Sequence, residues 1–310
     1  SFELLTPKKA KTFQDLSFNS LLARHTISYH YSLYMIGNEL PVESNDNYIA
    51  FVPGFTEEAK KHYQHAIKDS IELDLQYLSL LSQPHTVKIA RNLSRLLKGQ
   101  AYLDNTSTLN TFRKNAAGHK IVHIGTHAEF NNLVPERSRL IFAKDIAAGT
   151  DSNSLFLDEI YECNIKSDLA ILTACESGKP GFQDGEGMIS IAHAFNYAGS
   201  NSILTGLWKI DEKASSQITE IFVKNLEKGM STALVLKKAK LQYLGQAQGR
   251  TLAPAYWAGL VLIGQTPALE LNDPTSHTIW LFLGGVILLA VLVFYFLQRS
   301  RNLKNSDRDR

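Results

Sequence analysis

KIVHIGTHAEF, residues Lys120–Phe130, and DLAILTACESG, residues Asp168–Gly178, carry the reading of this chain. Each begins as a nearly continuous apolar run and closes on small and polar residues. That is how a parallel strand covered on both faces reads. Each run also delivers a reactive side chain to its C-terminal end, His127 in one and Cys175 in the other. In open parallel sheets, sites form in the crevice outside the carboxyl ends of the strands. Two such ends can bring an imidazole and a thiol together although 48 positions separate them.

Working outward, strand-like segments recur at Tyr48–Pro53, Lys120–His127, Arg139–Ala143, Asp168–Cys175, Asn201–Trp208 and Tyr256–Gly264. Helical patterns separate them at Glu57–Leu81, Val87–Leu97, Leu109–Asn115, Leu155–Cys163, Glu186–Tyr197, Lys213–Glu227 and Thr232–Leu244. Ser231 is the expected N-cap of the last helix, and Gly229 the expected stop of the one before it. Thr26–Met35 alternates polar and apolar residues as a further strand would. The alternation of strands and helices predicts an α/β three-layer sandwich around a mostly parallel central sheet, spanning residues 1–265. Glu57–Leu81 has the look of one helix of a tetratricopeptide unit, but a single copy is no array, since such arrays need about three units.

The expected chemistry follows from residue types. An imidazole beside a thiol favours thiolate and imidazolium, and the thiolate is the nucleophile. His127 can then protonate a leaving amine. The backbone N–H groups of Ala128 and Cys175 are candidate donors to the oxyanion of a tetrahedral intermediate. His123 would share a face with His127 on a regular strand, but four residues at ~3.3 Å each put the two roughly 13 Å apart. They could not share a zinc ion, whose ligands lie about 2 Å from it. His123 reads as a core or supporting histidine, with a catalytic role the alternative. Cys163, ending a predicted helix, reads as packing. The Gly-rich loop GKPGFQDGEG, residues 178–187, lacks the Gly-Lys-Ser/Thr of a phosphate loop and carries acids that repel phosphate. It reads as an active-site loop.

The spacing matches caspases, which have a short Ala-Cys motif with the histidine about fifty residues upstream. Beyond spacing, HIGTHAEF, LTACESG, GFQDGEG, FNYAGS, ILTGLWKIDE and YWAGLVLIG occur here in an order that resembles the CHAT domains. These are caspase-like peptidase domains often joined to tetratricopeptide repeats and related to caspases and separases. The resemblance spans nearly all of residues 1–264 and implies a caspase-hemoglobinase fold, with His127 as base and Cys175 as nucleophile. Where that family usually has Gly after the histidine, this chain has Ala128. Related peptidases often hold an acid in the primary pocket to pair with a basic substrate side chain. Asp211 is the first candidate for it and Asp184 the second, although Asp211 reads equally well as the N-cap of the helix that follows. The implied partners are a protein or peptide substrate and upstream tetratricopeptide repeats. The alternatives are a catalytically silent CHAT scaffold and a different acyl-transfer enzyme using the same two residues.

Composition narrows the field. Of 310 residues, 44% are apolar, enough for a substantial core. With 32 basic and 30 acidic residues, nothing points to broad nucleic-acid binding. Two cysteines make no disulfide framework, and the absence of Cys-x-x-Cys argues against a zinc ribbon. No metal or cofactor is expected. Thr278–Leu297 is a run of twenty uncharged residues, TIWLFLGGVILLAVLVFYFL, long enough as a helix to cross a ~30 Å hydrocarbon core. Trp280 and Tyr295 sit near its ends, where amphipathic aromatics prefer the interface. Residues 266–277 read as a linker to it and 298–310 as a basic tail. Arg299, Arg301, Lys304, Arg308 and Arg310 follow the span, so the positive-inside rule keeps the tail cytoplasmic and the preceding domain on the opposite side. The chain begins at Ser1 without an initiator Met, as a processed protein or a fragment would.

Overall fold

The structure is a computed structural model, which describes residues 1–6, 9–37, 42, 46–67, 73–131, 133–146, 153–173, 175–176, 186–226, 229–271 and 292–293. In chain order its first elements are α1 Phe13–Asn19, α2 Leu21–Arg24, β1 Asp46–Val52, α3 Glu57–Ala66, α4 Leu75–Ser79, α5 Pro84–Leu96 and β2 Gln100–Leu103. Then come α6 Leu109–Asn115, β3 His119–Ile124, β4 His127–Glu129, β5 Arg139–Ile141, β6 Ser154–Phe156 and α7 Leu157–Glu162. The last are β7 Ser167–Leu172, β8 Cys175–Glu176, α8 Glu186–Tyr197, β9 Ser200–Gly206, α9 Glu212–Leu226, α10 Thr232–Gln246 and β10 Leu260–Gly264.

The continuous apolar runs pair as their burial on both faces requires. A six-stranded sheet forms in the order β10-β9-β7-β3-β1-β2, parallel throughout except that β10 runs against β9. Alternate residues of its strands enter the two layers. On one face, Phe51, Val122, Ala170 and Ile203 pack with Phe112 of α6, Ile160 of α7 and Phe195 of α8. On the other, α5 packs against β1 and against α9, which in turn packs on α10. Mixed α/β with a mostly parallel central sheet is therefore the architecture. The region Ser1–Glu270 forms one compact unit, and Leu271–Arg310 is a second.

Several expected elements divide where the sequence changes character. The run Lys120–His127 is two strands, because β3 stops at Ile124 and β4 begins at His127 in another sheet. Gly125 lies at the break, where a Cβ would stand 2.4 Å from Thr86 Cγ2. Asp168–Cys175 divides in the same way into β7 and β8. These breaks create a second sheet, in the order β6-β5-β4-β8. The expected helix Glu57–Leu81 is α3 and α4, with Ile67 leaving α3 in an extended conformation and Asp74 capping α4 through Tyr77 N at 2.9 Å. Leu155–Cys163 yields its start to β6. Within Thr26–Met35 only Tyr29 pairs, its N–H donating to Leu262 O at 3.0 Å and its carbonyl accepting from Gly264 N at 2.8 Å. Ser231 does cap α10, accepting from Leu234 N at 3.4 Å.

The apolar run Thr278–Leu297 lies outside the described residues except for positions 292 and 293. Among the described residues no helix is long and apolar enough to cross a membrane. The linker is likewise described only as far as residue 271.

Candidate active site

The breaks after β3 and β7 place the two motif ends side by side. Once β3 ends, the chain crosses into the second sheet and enters β4 at His127; once β7 ends, it enters β8 at Cys175. β4 and β8 pair in parallel, and His127 is the register partner of Cys175, as Ala128 is of Glu176. Neighbouring strands lie ~4.8 Å apart in the pairing direction. β4 also pairs antiparallel with β5, His127 opposite Ile141, so the histidine strand is held on both sides.

His127 is buried, with 4% of its surface exposed. Its ring packs on Phe55, centroid to centroid 5.0 Å. Nε2 lies 2.7 Å from the carbonyl oxygen of Leu81. A carbonyl can only accept, so Nε2 carries the hydrogen and, in the neutral ring, Nδ1 carries the lone pair. An oriented imidazole with its basic nitrogen defined is what a general base requires.

Leu81 lies in the gap between α4 and α5. Gln83 N–H donates to Gly54 O at 2.8 Å and Ser82 Oγ to Phe55 O at 2.8 Å, which ties the segment before α5 to the turn after β1. Pro84 opens α5 at its first turn, where the missing N–H costs nothing. The residue before a proline avoids the α region, and Gln83 is non-helical, as is Leu80 after α4, so the Leu81 carbonyl lies outside both helices and reaches His127 Nε2. Sequence reasoning did not single out Leu81, since any residue can supply a carbonyl; the Ser-Gln-Pro sequence was the available sign of a break.

His127 lines a cleft of about 580 Å³ together with Leu81, Glu129, Lys209, Asp211 and Tyr256. Asp211 therefore reaches the cleft and is also the cap of α9, accepting from Ala214 N at 2.9 Å. Both readings of this residue are compatible with the geometry. Asp184 lies outside the described residues, as does most of the loop 178–187. Glu129 is a further acid at the cleft that sequence reasoning overlooked. Arg139 donates to its Oε2 from two nitrogens, at 2.7 and 2.8 Å, and Gln76 donates to Oε1 at 2.5 Å. Glu212, beside Asp211, accepts from Thr86 N at 2.7 Å and so caps α5 from α9.

Ala128 is buried in extended backbone within β4 and is not among the residues with positive φ. Its methyl therefore carries no conformational penalty relative to glycine. Cys163 is half-buried on the far side of the central sheet with α7, and burial raises its thiol above the ordinary range. His123 is wholly buried and belongs to the central sheet, not to β4.

Residues 7–265 match the sequence profile of the CHAT domain. This chain belongs to the CHAT domain family. Among known proteins, this CHAT domain is 24% identical over 208 residues to tetratricopeptide repeat protein 28 of Mus musculus, a match covering 64% of the chain and 8% of that protein. To the Homo sapiens protein of the same name it is 31% identical over 91 residues, covering 29% and 4%. The chain thus spans less than a tenth of the curated relatives it matches. Among solved structures it is similar to the separase–securin complex of Saccharomyces cerevisiae, with TM-score 0.38, 14% identity and coverage of 82% of this chain and 13% of that one. It is also similar to the Arg-specific cysteine proteinase gingipain R, with TM-score 0.41, 11% identity and coverage of 85% and 54%.

Proposed function

We propose that this CHAT domain is a cysteine endopeptidase acting on protein substrates, with Cys175 as nucleophile and His127 as base. The observation that carries the reading is the parallel pairing of β4 with β8, in which His127 and Cys175 are register partners. The Leu81 carbonyl supports it by holding Nε2–H, so that Nδ1 is the proton acceptor. In the reaction, Nδ1 takes the thiol proton as sulfur attacks the scissile carbonyl carbon, and returns it to the amine that departs. Water then attacks the thioester carbonyl, His127 takes the water's proton, and the thiol is regenerated. The N–H groups of Ala128 and Cys175 are the proposed oxyanion donors. Asp211 at the cleft favours a substrate with Lys or Arg before the scissile bond.

The fold is of the caspase-hemoglobinase kind on this reading, as the family resemblance implies. Because the known relatives are tetratricopeptide repeat proteins, such repeats are the proposed upstream partner. Residues 278–297 are proposed to anchor the domain as a single membrane span, with the basic tail in the cytoplasm and the domain on the opposite side. In sealed vesicles of known orientation, added protease should then reach the domain only from that opposite face; digestion from the cytoplasmic face would overturn the orientation.

The test of activity is to present Ser1–Glu270 and its Cys175→Ala variant with a diverse peptide library and read the products by mass spectrometry. Cleavage after Lys or Arg by the unsubstituted protein alone is the expected result, with Asp211→Ala losing that preference while still folding. If neither protein cleaves and Cys175 has the reactivity of an ordinary thiol, the domain is a noncatalytic scaffold.

A further inference from the structure

The chain changes sheets twice at the site, and the crossing that leads to Cys175 is short. β7 ends at Leu172, and β8 begins at Cys175. Thr173 follows β7 directly and stands two positions before Cys175, so what holds Thr173 bears on where β8 starts. Two contacts hold it. Its N–H donates to Ile124 O at 3.1 Å, which ties it to the end of β3, the strand that leads to His127. Its Oγ1 lies 2.9 Å from Nε2 of His123. The other nitrogen of His123, Nδ1, lies 2.7 Å from the hydroxyl of Tyr48 on β1. A chain of hydrogen bonds therefore crosses from β1 through β3 to the end of β7. Tyr48 and His123 are wholly buried and Thr173 is 5% exposed.

We propose that His123 is a positioning residue for the nucleophile: through Thr173 it holds the end of β7 so that Cys175 stays in register with His127. The inference rests on the dyad reading and assigns the reason a histidine stands in this core. A leucine would fill the strand position at no desolvation cost, whereas a buried imidazole is tolerated only when both nitrogens are satisfied. Here two hydroxyls satisfy them, and each hydroxyl can donate or accept, so either tautomer closes the chain. Burial pushes His123 down to about 3, so its ring stays neutral while a thiol–imidazole pair titrates. Its effect is therefore geometric. Gly125 adds to the fit, because a Cβ there would stand 3.2 Å from Thr173 Oγ1.

The reactivity of Cys175 tests this without a peptide substrate. In a Cys163→Ser background, iodoacetamide reads Cys175 alone, its thiolate displacing iodide to form a thioether. His127→Ala should slow alkylation near neutral pH. Thr173→Val, nearly the same shape without the hydroxyl, should slow it about tenfold, the scale expected when a reacting group shifts by a fraction of an ångström. Thr173→Ser should restore it. Tyr48→Phe, one oxygen smaller at the far end of the chain, should slow it as well, and it serves if Thr173→Val does not fold. If His127→Ala has no effect, the dyad reading fails and this inference with it. If His127→Ala slows the reaction but Thr173→Val and Tyr48→Phe react like the unsubstituted protein, the dyad stands and the positioning role is overturned. Slowing by Thr173→Val that Thr173→Ser does not reverse also overturns it.

Discussion

His123 and His127 stand four positions apart, yet they occupy different sheets and have different hydrogen-bond partners. On an unbroken strand they would face the same way, and nothing in the local sequence separates them except Gly125. The histidine at the strand end was legible as a candidate for chemistry because reach depends on position; the buried one was legible only as supporting. What the sequence could not carry was the partner of each nitrogen. Leu81 contributes a carbonyl, which has no signature, and Tyr48 and Thr173 come from strands distant along the chain. The buried ring leads to a pH prediction. The unfolded chain protonates this histidine near 6.5 and the folded chain only near 3. Between those values the unfolded state holds more protons, so acidification favours unfolding, and the stabilisation seen above 6.5 is lost as pH falls. The contribution approaches ~1.4 kcal/mol per pH unit within that window. Urea midpoints measured from pH 7 to pH 4 should fall less steeply for His123→Phe than for the unsubstituted protein. Equal slopes would mean that His123 does not carry this linkage.

At the scale of elements, continuous apolar runs announced the parallel strands, and the helices between them followed from their periodicity. Boundaries failed where two elements follow each other with a gap of only two residues. β3 with β4 and β7 with β8 read as single strands because only two residues, Gly125-Thr126 in one and Thr173-Ala174 in the other, separate elements that belong to different sheets. Those are the places where the candidate site is built, so the least legible features are the ones that bring the two motifs together. Helix ends were legible where the cap is local, as at Ser231, and not where it comes from another element. α5 is such a case: no side chain of its own caps it, and Glu212 at the start of α9 accepts from Thr86 N and Oγ1. A charge-assisted bond to a helix N-terminus is stabilising both as a hydrogen bond and against the dipole. Glu212→Ala should therefore lower stability by about 1–2 kcal/mol, the usual cost of a lost cap. Because α5 follows the segment that carries the Leu81 carbonyl, amide exchange in α5 should speed up in this variant. Unchanged exchange there would show that Glu212 does not hold the helix end.

Across the whole molecule, the two extremes of the compact unit are joined by an interaction that sequence patterning could not reveal. Glu3 approaches Lys240 of α10 at 2.6 and 2.7 Å, and both side chains are almost wholly buried. Burial pushes the Glu3 carboxyl up and the Lys240 amine down, and each is opposed by the charge of the other. Charged residues so far apart in sequence read as solvated surface. The pair, the Tyr29 pairing on the β10 edge and the contact of Tyr29 with Phe2 N at 3.1 Å fasten the opening segment to the end of the sheet. Removing one member alone leaves an uncompensated buried charge, so Lys240→Ala should destabilise the unit by about 3–5 kcal/mol. Replacing both with apolar groups of similar size, Glu3→Leu with Lys240→Met, removes the desolvation cost together with the attraction and should recover most of that loss. Guanidinium unfolding of Lys240→Ala and of the double variant, beside the unsubstituted protein, measures it. If the double variant is as unstable as Lys240→Ala, although Met keeps the length of the lysine stem and no orphaned charge remains, the ion pair is itself net stabilising and the opening segment is held by that attraction.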